Sequence, residues 1–188
     1  DDSFFDKKIN LGLDLQGGSY LLLEIDNAPV VEQKLQNLTT TIKNYFKDKD
    51  IKINNIKIED QSIFFNVDDQ NKQLIVDTFS DQESDINPYY PRFKSHQLVL
   101  EETGLNFKVS FSKQGLIALK TSSQDQAIEI VRRRIDEVGT NEPNILKRGN
   151  NRILVELPGL DDPMRVKSLL GKTANLTFRF VTNNENDN

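Results

Sequence analysis

The sequence has no cysteine and a single histidine, His96. Without cysteine there is no disulfide framework, no thiolate metal site and no cysteine nucleophile. With one histidine there is no multi-histidine metal centre and no paired-histidine chemistry. No apolar run approaches the ~18 residues that a membrane-spanning helix requires. The opening DDSFFDKK lacks a signal-peptide pattern and reads as a juxtamembrane start, an interdomain start or an artificial boundary. Basic residues are outnumbered, 24 Lys and Arg against 29 Asp and Glu, for a net charge of −5. That balance disfavours general nucleic-acid affinity through phosphate neutralisation.

What remains is polar but foldable. The 188 residues are 36% hydrophobic and 28% charged, enough for one mid-sized domain or two small ones. A chain this long buries roughly 70% of its unfolded surface and needs no staples. Asparagine makes up about one residue in ten, which reads as codon bias and not as chemistry.

Periodicity supplies the elements. Ser19–Asp26 alternates as a strand after the pair Gly17 and Gly18, with Leu21, Leu23 and Ile25 on one face. Val31, Leu35, Leu38, Ile42 and Tyr45 or Phe46 form a helical stripe with Pro29 in the first turn. Ile51–Glu59 changes apolar parity between Ile53 and Ile56, which predicts a bulge or bend near Asn54-Asn55. It pairs in a hairpin with the strand of Ile63, Phe65 and Val67. Asp68 or Asp69 is expected to cap a helix presenting Leu74, Ile75 and Phe79. The stretch from Ser80 to Ser95, with Pro88 and Pro91, reads as loop, and Gln97–Glu101 as a strand.

The second half repeats the pattern. Leu105, Phe107, Val109 and Phe111 alternate, and Ser112 can cap a helix running to Val138. A later start at Ser122 or Ser123 is the alternative. Gly139 suits the helix terminus. Asn144–Lys147 and Arg152–Leu157 flank the turn Gly149-Asn150-Asn151. A short helix is expected from Asp161 or Asp162 through Pro163 to Gly171, then a strand through Leu176 and Phe178. The order is βαββαβ twice, an α+β chain of two ferredoxin-like units with antiparallel sheets and helices on one face. Residues 1–103 form the first unit and 104–188 the second on this reading. An exchange of the first strands between the units stays open.

No chemical constellation emerges. Gly171-Lys172-Thr173 resembles the end of a P-loop, but Val166 stands where the motif needs glycine, and the segment leaves a helix where a P-loop enters one. Gly12, Gly17 and Gly18 precede a strand and not a helix, so they provide conformational freedom and no phosphate cradle. Arg132, Arg133 and Arg134 point about 100° apart, and Asp136 and Glu137 lie one turn on. Paired aspartates sit where capping explains them. No enzyme chemistry, metal or cofactor is expected.

Three segments carry a resemblance. LGLDLQGGSYLLLEID, with Asp14, Leu15, Gln16, Gly17 and Gly18 at its centre, is similar to the segment after the first transmembrane helix of the SecD family of the bacterial Sec export machinery. VRRRIDEVGTNEPNILKRGNNRILVELPGL resembles that family at Arg133, Arg134, Gly139, Glu142, Pro143, Gly149, Arg152, Ile153, Val155, Pro158 and Gly159. LGKTANLTFRF, with Gly171, is the third match. The resemblance implies the base portion of the first periplasmic domain, without its head and without membrane helices. It implies a membrane-anchored setting on the periplasmic face, partnership with SecF and the SecYEG channel, and assistance to late, proton-motive-force-dependent export of unfolded polypeptides. Proton-coupling residues then lie outside this chain. It also implies a hinge at Gly12, Asp14, Leu15, Gln16, Gly17 and Gly18. A competing reading is a small-molecule sensor of paired ACT-like units, which places its glycines after the first strand and not before it.

Overall fold

The computed structural model describes residues 18–137, 143–159, 164, 168, 170 and 176–179. Ten strands and three long or medium helices account for most of them. The strands are β1 (Gly18–Ile25), β2 (Asn54–Glu59), β3 (Ser62–Asn66), β4 (Tyr89–Tyr90), β5 (Ser95–His96), β6 (Leu98–Thr103), β7 (Asn106–Phe111), β8 (Asn144–Arg148), β9 (Arg152–Pro158) and β10 (Leu176–Arg179). The helices are α1 (Ala28–Lys47), α2 (Lys72–Ser80) and α3 (Lys113–Asp136). Met164, Ser168 and Leu170 are also helical. The expected α+β class with antiparallel sheets is what is found.

The division of the chain is not two successive halves. One unit comprises residues 1–26 and 123–188, and the other, residues 27–122, is inserted within it. The outer unit's sheet runs β10-β1-β9-β8 and the inner unit's runs β2-β3-β7-β6, antiparallel at every pairing. The two first strands are therefore exchanged relative to a boundary at 103/104. That boundary cuts the β6–β7 hairpin, whose register from Leu98↔Phe111 to Thr103↔Asn106 is unbroken. The turn there has Gly104 at φ +64 as its first central residue, the position that favours glycine in a tight hairpin.

The outer unit follows the chain order strand, helix, two strands, helix, strand, with β1 and β9 innermost. The inner unit has the same sheet order entered at another point. Its last strand, β7, holds the inner position that β1 holds outside. The inner order is thus a circular permutation of the outer one.

Each unit has its own core, and each core explains its elements. In the inner unit the α1 stripe Val31, Leu35, Leu38, Ile42 and Phe46 is buried against Ile63, Phe65, Phe107, Val109 and Phe111, with Ile75 and Phe79 from α2. In the outer unit Leu21, Leu23 and Ile25 of β1 and Ile153, Val155 and Leu157 of β9 meet Ala127, Ile128, Val131 and Ile135 of α3 and Leu170. Ile130 of α3 is 36% exposed, whereas Ile128 is buried. Full burial of each Val, Leu, Ile or Phe among the core residues contributes about 1.5–3 kcal/mol.

Local chemistry sets the boundaries. Ser112 caps α3: its Oγ accepts from the Gly115 amide at 2.9 Å and donates to the His96 carbonyl at 2.7 Å. This selects the earlier of the two starts open for that helix. A Cβ on Gly115 would lie 2.1 Å from the Gln97 carbonyl oxygen, so only glycine fits. Asp60 and Gln61, at φ +46 and +54, form the mirror-image turn of the β2–β3 hairpin. The predicted irregularity in β2 is a register shift between Asn54 and Lys57, with Asn55 at φ +51. Asp68 makes no side-chain cap; a 3-10 turn, Asp69–Asn71, leads into α2 instead, and Leu74 is exposed. The stretch read as loop contains the β4–β5 hairpin. Val138, Gly139, Gly171 and the expected helix start at Asp161, Asp162 and Pro163 lie outside the described residues.

Candidate functional site

The motif segments are far apart in sequence and adjacent in the outer sheet. Gly18 is the first residue of β1 and stands opposite Pro158 of β9; Ser19, Tyr20 and Leu21 stand opposite Leu157, Glu156 and Val155. On the other side of β1, Leu22 to Ile25 pair with Arg179 to Leu176 of β10. Thus the strand after the glycine pair is flanked by the V-E-L-P-G strand and by the L-T-F-R strand. Gly159, just beyond β9, has φ +73 and takes a left-handed turn there. Pro158 therefore ends the ladder at the point where Gly18 begins it.

The β8–β9 hairpin completes this sheet. Its turn is Gly149-Asn150-Asn151 as expected, with Gly149 at φ +60. Pro143 precedes β8 and is half-buried. The turn is held from α3 by Gln124, a side chain only 2% exposed. Its Nε2 donates to the Gly149 carbonyl at 3.1 Å and to the Arg152 carbonyl at 2.7 Å. The Asn151 carbonyl also accepts from the Ile25 amide at 2.7 Å, tying the turn to the end of β1. Gln124 escaped the sequence reading because its partners are 25 and 28 residues away and hydrogen bonds of this kind leave no periodicity.

The arginines do not form one patch. Arg132 and Arg133 are exposed, and Arg134 pairs with Glu137 at 3.4 Å, as their angular spacing predicts. Gly12, Asp14, Leu15, Gln16, Gly17, Gly139, Glu142 and Gly171 lie outside the described residues.

The sheet has one face on the helices and one turned away from them. On the latter, Leu22, Leu154 and Leu146 stand in register across β1, β9 and β8. Leu22 and Leu154 are half-buried and Leu146 is 37% exposed. Tyr20, beside this row, is 55% exposed. Asn144 donates to Glu156 at 2.8 Å along the next row. The surface is a polar-rimmed apolar stripe suited to contact; among the described residues no nucleophile, base and orienting group lie in mutual reach there.

The other side chains weighed for chemistry are structural. His96 Nε2 lies 3.1 Å from the Asp81 carbonyl, and the ring packs on Tyr89. The nearby Tyr90 phenol is held above its ordinary pKa by burial. Among the described residues no group of three histidines or carboxylates could hold a metal ion.

Two family models match the chain. Residues 3–29 match the SecD/SecF GG motif, and residues 124–183 match the N-terminal part of the P1 domain of the protein translocase subunit SecDF. Both stretches fall almost wholly on the outer unit. The pairwise matches reach further: the chain is 35% identical over 178 residues to the protein translocase subunit SecD of Rickettsia conorii, covering 95% of this chain and 32% of that protein. This chain belongs to the SecD family. SecD of Rickettsia felis is 36% identical over 180 residues, and SecD of Acetobacter pasteurianus 34% over 181. The chain spans about a third of the length of these SecD relatives. Among the described residues, no helix is long and apolar enough to cross a membrane. The two matched SecD stretches are the ones the structure joins: the GG-motif strand lies between two P1 strands.

Proposed function

We propose that this chain is the base of the first periplasmic domain of a SecD-type translocase accessory subunit, and that it works mechanically and not as an enzyme. In this reading the whole protein sits in the cytoplasmic membrane with the described units on the periplasmic face. It acts with SecF and the SecYEG channel and favours the late, proton-motive-force-dependent forward movement of an emerging polypeptide. The observation that carries the reading is the pairing of the GG strand between β9 and β10. A pull or tilt applied through residues preceding Gly18 enters an inner strand of the sheet, which is hydrogen-bonded on both sides and packed on α3. Force delivered there moves the outer unit as a block.

Gly12, Asp14, Leu15, Gln16, Gly17 and Gly18 are the proposed joint in that linkage. Gly17→Val and Gly18→Val in the full-length protein are expected to slow export of a secreted reporter at unchanged protein levels. Export at the wild-type rate with both variants would overturn the joint.

A further inference from the structure

Sheet edges expose unpaired main-chain groups, and proteins usually blunt them with lysine, proline, bulges or inward charges. Two of the edges here are blunted. The inner sheet's β2 is broken by its register shift and by Asn55 at positive φ. The outer sheet's β8 follows Pro143, carries Arg148, and aims Lys147 at Asp125 of α3. The remaining edge of the inner sheet, β6, has no lysine, arginine, proline or bulge over its six residues, and its two charges, Glu101 and Glu102, are each drawn to a lysine of a neighbouring element.

Instead β6 has a stop at one end. Asn87, 1% exposed, donates from Nδ2 to the Leu98 carbonyl at 3.2 Å and accepts the Leu98 amide on Oδ1 at 2.8 Å. This carboxamide does what a neighbouring strand would do. It also fixes which groups face outward. Antiparallel neighbours alternate between bonding inward and outward, so Leu100 and Glu102, like Leu98, direct both amide and carbonyl away from β7. Among the described residues nothing bonds to those outward groups. Val99 is 42% exposed, and Glu101, Glu102 and Thr103 are exposed.

We infer that β6 is an acceptor for one extended polypeptide strand, which pairs with Leu100 and Glu102 and is stopped at Leu98 by Asn87. The inference rests on the translocase reading for its occupant, a stretch of the unfolded polypeptide in transit. Only a main chain offers amides and carbonyls at the spacing of two outward residues, roughly 7 Å. Recognition through main-chain groups suits a client of any sequence. Lys108 and Lys72 partly offset Glu101 and Glu102, so a neutral strand meets little repulsion, whereas a strand that brings a second carboxylate against Glu101 meets more. A second copy of this chain is disfavoured: centred on the outward pair, an antiparallel copy sets Glu101 opposite Glu101, a destabilising like-charge pair.

The test uses full-length protein in export-competent membranes with a precursor stalled in transit. A photo-crosslinking amino acid is placed at Val99 or Thr103 on β6, and at Lys57 on the blunted β2 edge as control. Precursor adducts are expected from Val99 and Thr103 and not from Lys57. Glu102→Pro removes an outward amide and no bond to β7, and should cut adducts by about tenfold, the fold-change of one lost main-chain hydrogen bond. Glu102→Ala loses only the Lys72 pair and should keep them. Thermal melting of both variants checks that the sheet is intact. Equal adducts from Lys57, or an intact Glu102→Pro variant that crosslinks normally, overturn the inference. An adduct of twice the protein's mass assigns the edge to a second copy and also overturns it. Precursor adducts found elsewhere on the protein, with none at β6, overturn the edge and leave the translocase reading standing. No precursor adduct anywhere on the protein removes both.

Discussion

Asn87 satisfies three main-chain groups with one side chain. Besides Leu98 it donates to the Phe79 carbonyl at 2.7 Å, one of the carbonyls that the end of α2 leaves without an intrahelical partner. It therefore ties the helix terminus, the Pro88 loop and the start of β6 together inside the core. Asn87→Ala leaves the Leu98 amide, the Leu98 carbonyl and the Phe79 carbonyl buried without partners. The expected loss is about 2–4 kcal/mol, because an abandoned buried group costs its full desolvation. Urea denaturation of the full chain checks this, and a loss under ~0.5 kcal/mol, the range of an ordinary surface change, contradicts it. Gln124 plays the corresponding part in the outer unit, holding two carbonyls at the β8–β9 turn. Neither residue was legible in the sequence. An isolated Asn in a loop or Gln on a helix looks like a solvated surface residue until the fold brings distant carbonyls to it. Ser112, by contrast, was legible as a cap because its main-chain donor lies three residues on.

At the scale of elements the sequence was more informative, since burial follows local spacing. The α1 stripe and the alternations of β3, β7 and β9 are the residues that are buried, except Leu105, which falls in the turn before β7 and is exposed. The reading failed where one residue type fits two roles. Asp68 and Asp69 look like caps, yet Asp69 opens a 3-10 turn and the α2 terminus has no side-chain cap. The β2–β3 hairpin was readable but its cost was not: Asp60 and Gln61 both occupy left-handed backbone, at φ +46 and +54. A non-glycine residue pays roughly 1–2 kcal/mol there. Gln61→Gly should therefore raise stability by about 1 kcal/mol, since glycine at the second central position suits this turn. The variant's thermal midpoint should rise. A fall would mean that glycine's greater freedom in the unfolded chain outweighs the relief.

For the whole molecule, local pattern could not decide which strands pair. β1 and β7 each alternate as any first strand would, and nothing in their spacing says that β1 passes over the inserted residues 27–122 to pair with β9 and β10 while β7 turns back to β3 and β6. The pairing has a direct consequence for where the chain can be divided. A fragment of residues 1–103 retains β1 without β9 or β10, and loses β7 from the middle of the inner sheet. β7 carries Phe107, Val109 and Phe111 into the core. Their burial is worth roughly 5–9 kcal/mol, which rivals the entire stability of a unit this size at ~5–15 kcal/mol. A fragment of residues 27–122 keeps all four inner strands, both inner helices and the Ser112 cap. It should unfold cooperatively on heating, with dispersed amide resonances below its transition, whereas 1–103 should show neither. A cooperative transition in 1–103 and none in 27–122 would show that the chain folds as two successive halves after all. The expected result assigns independent folding to the inserted unit, and leaves the outer sheet, where the GG strand joins the P1 strands, to be completed only when the chain returns.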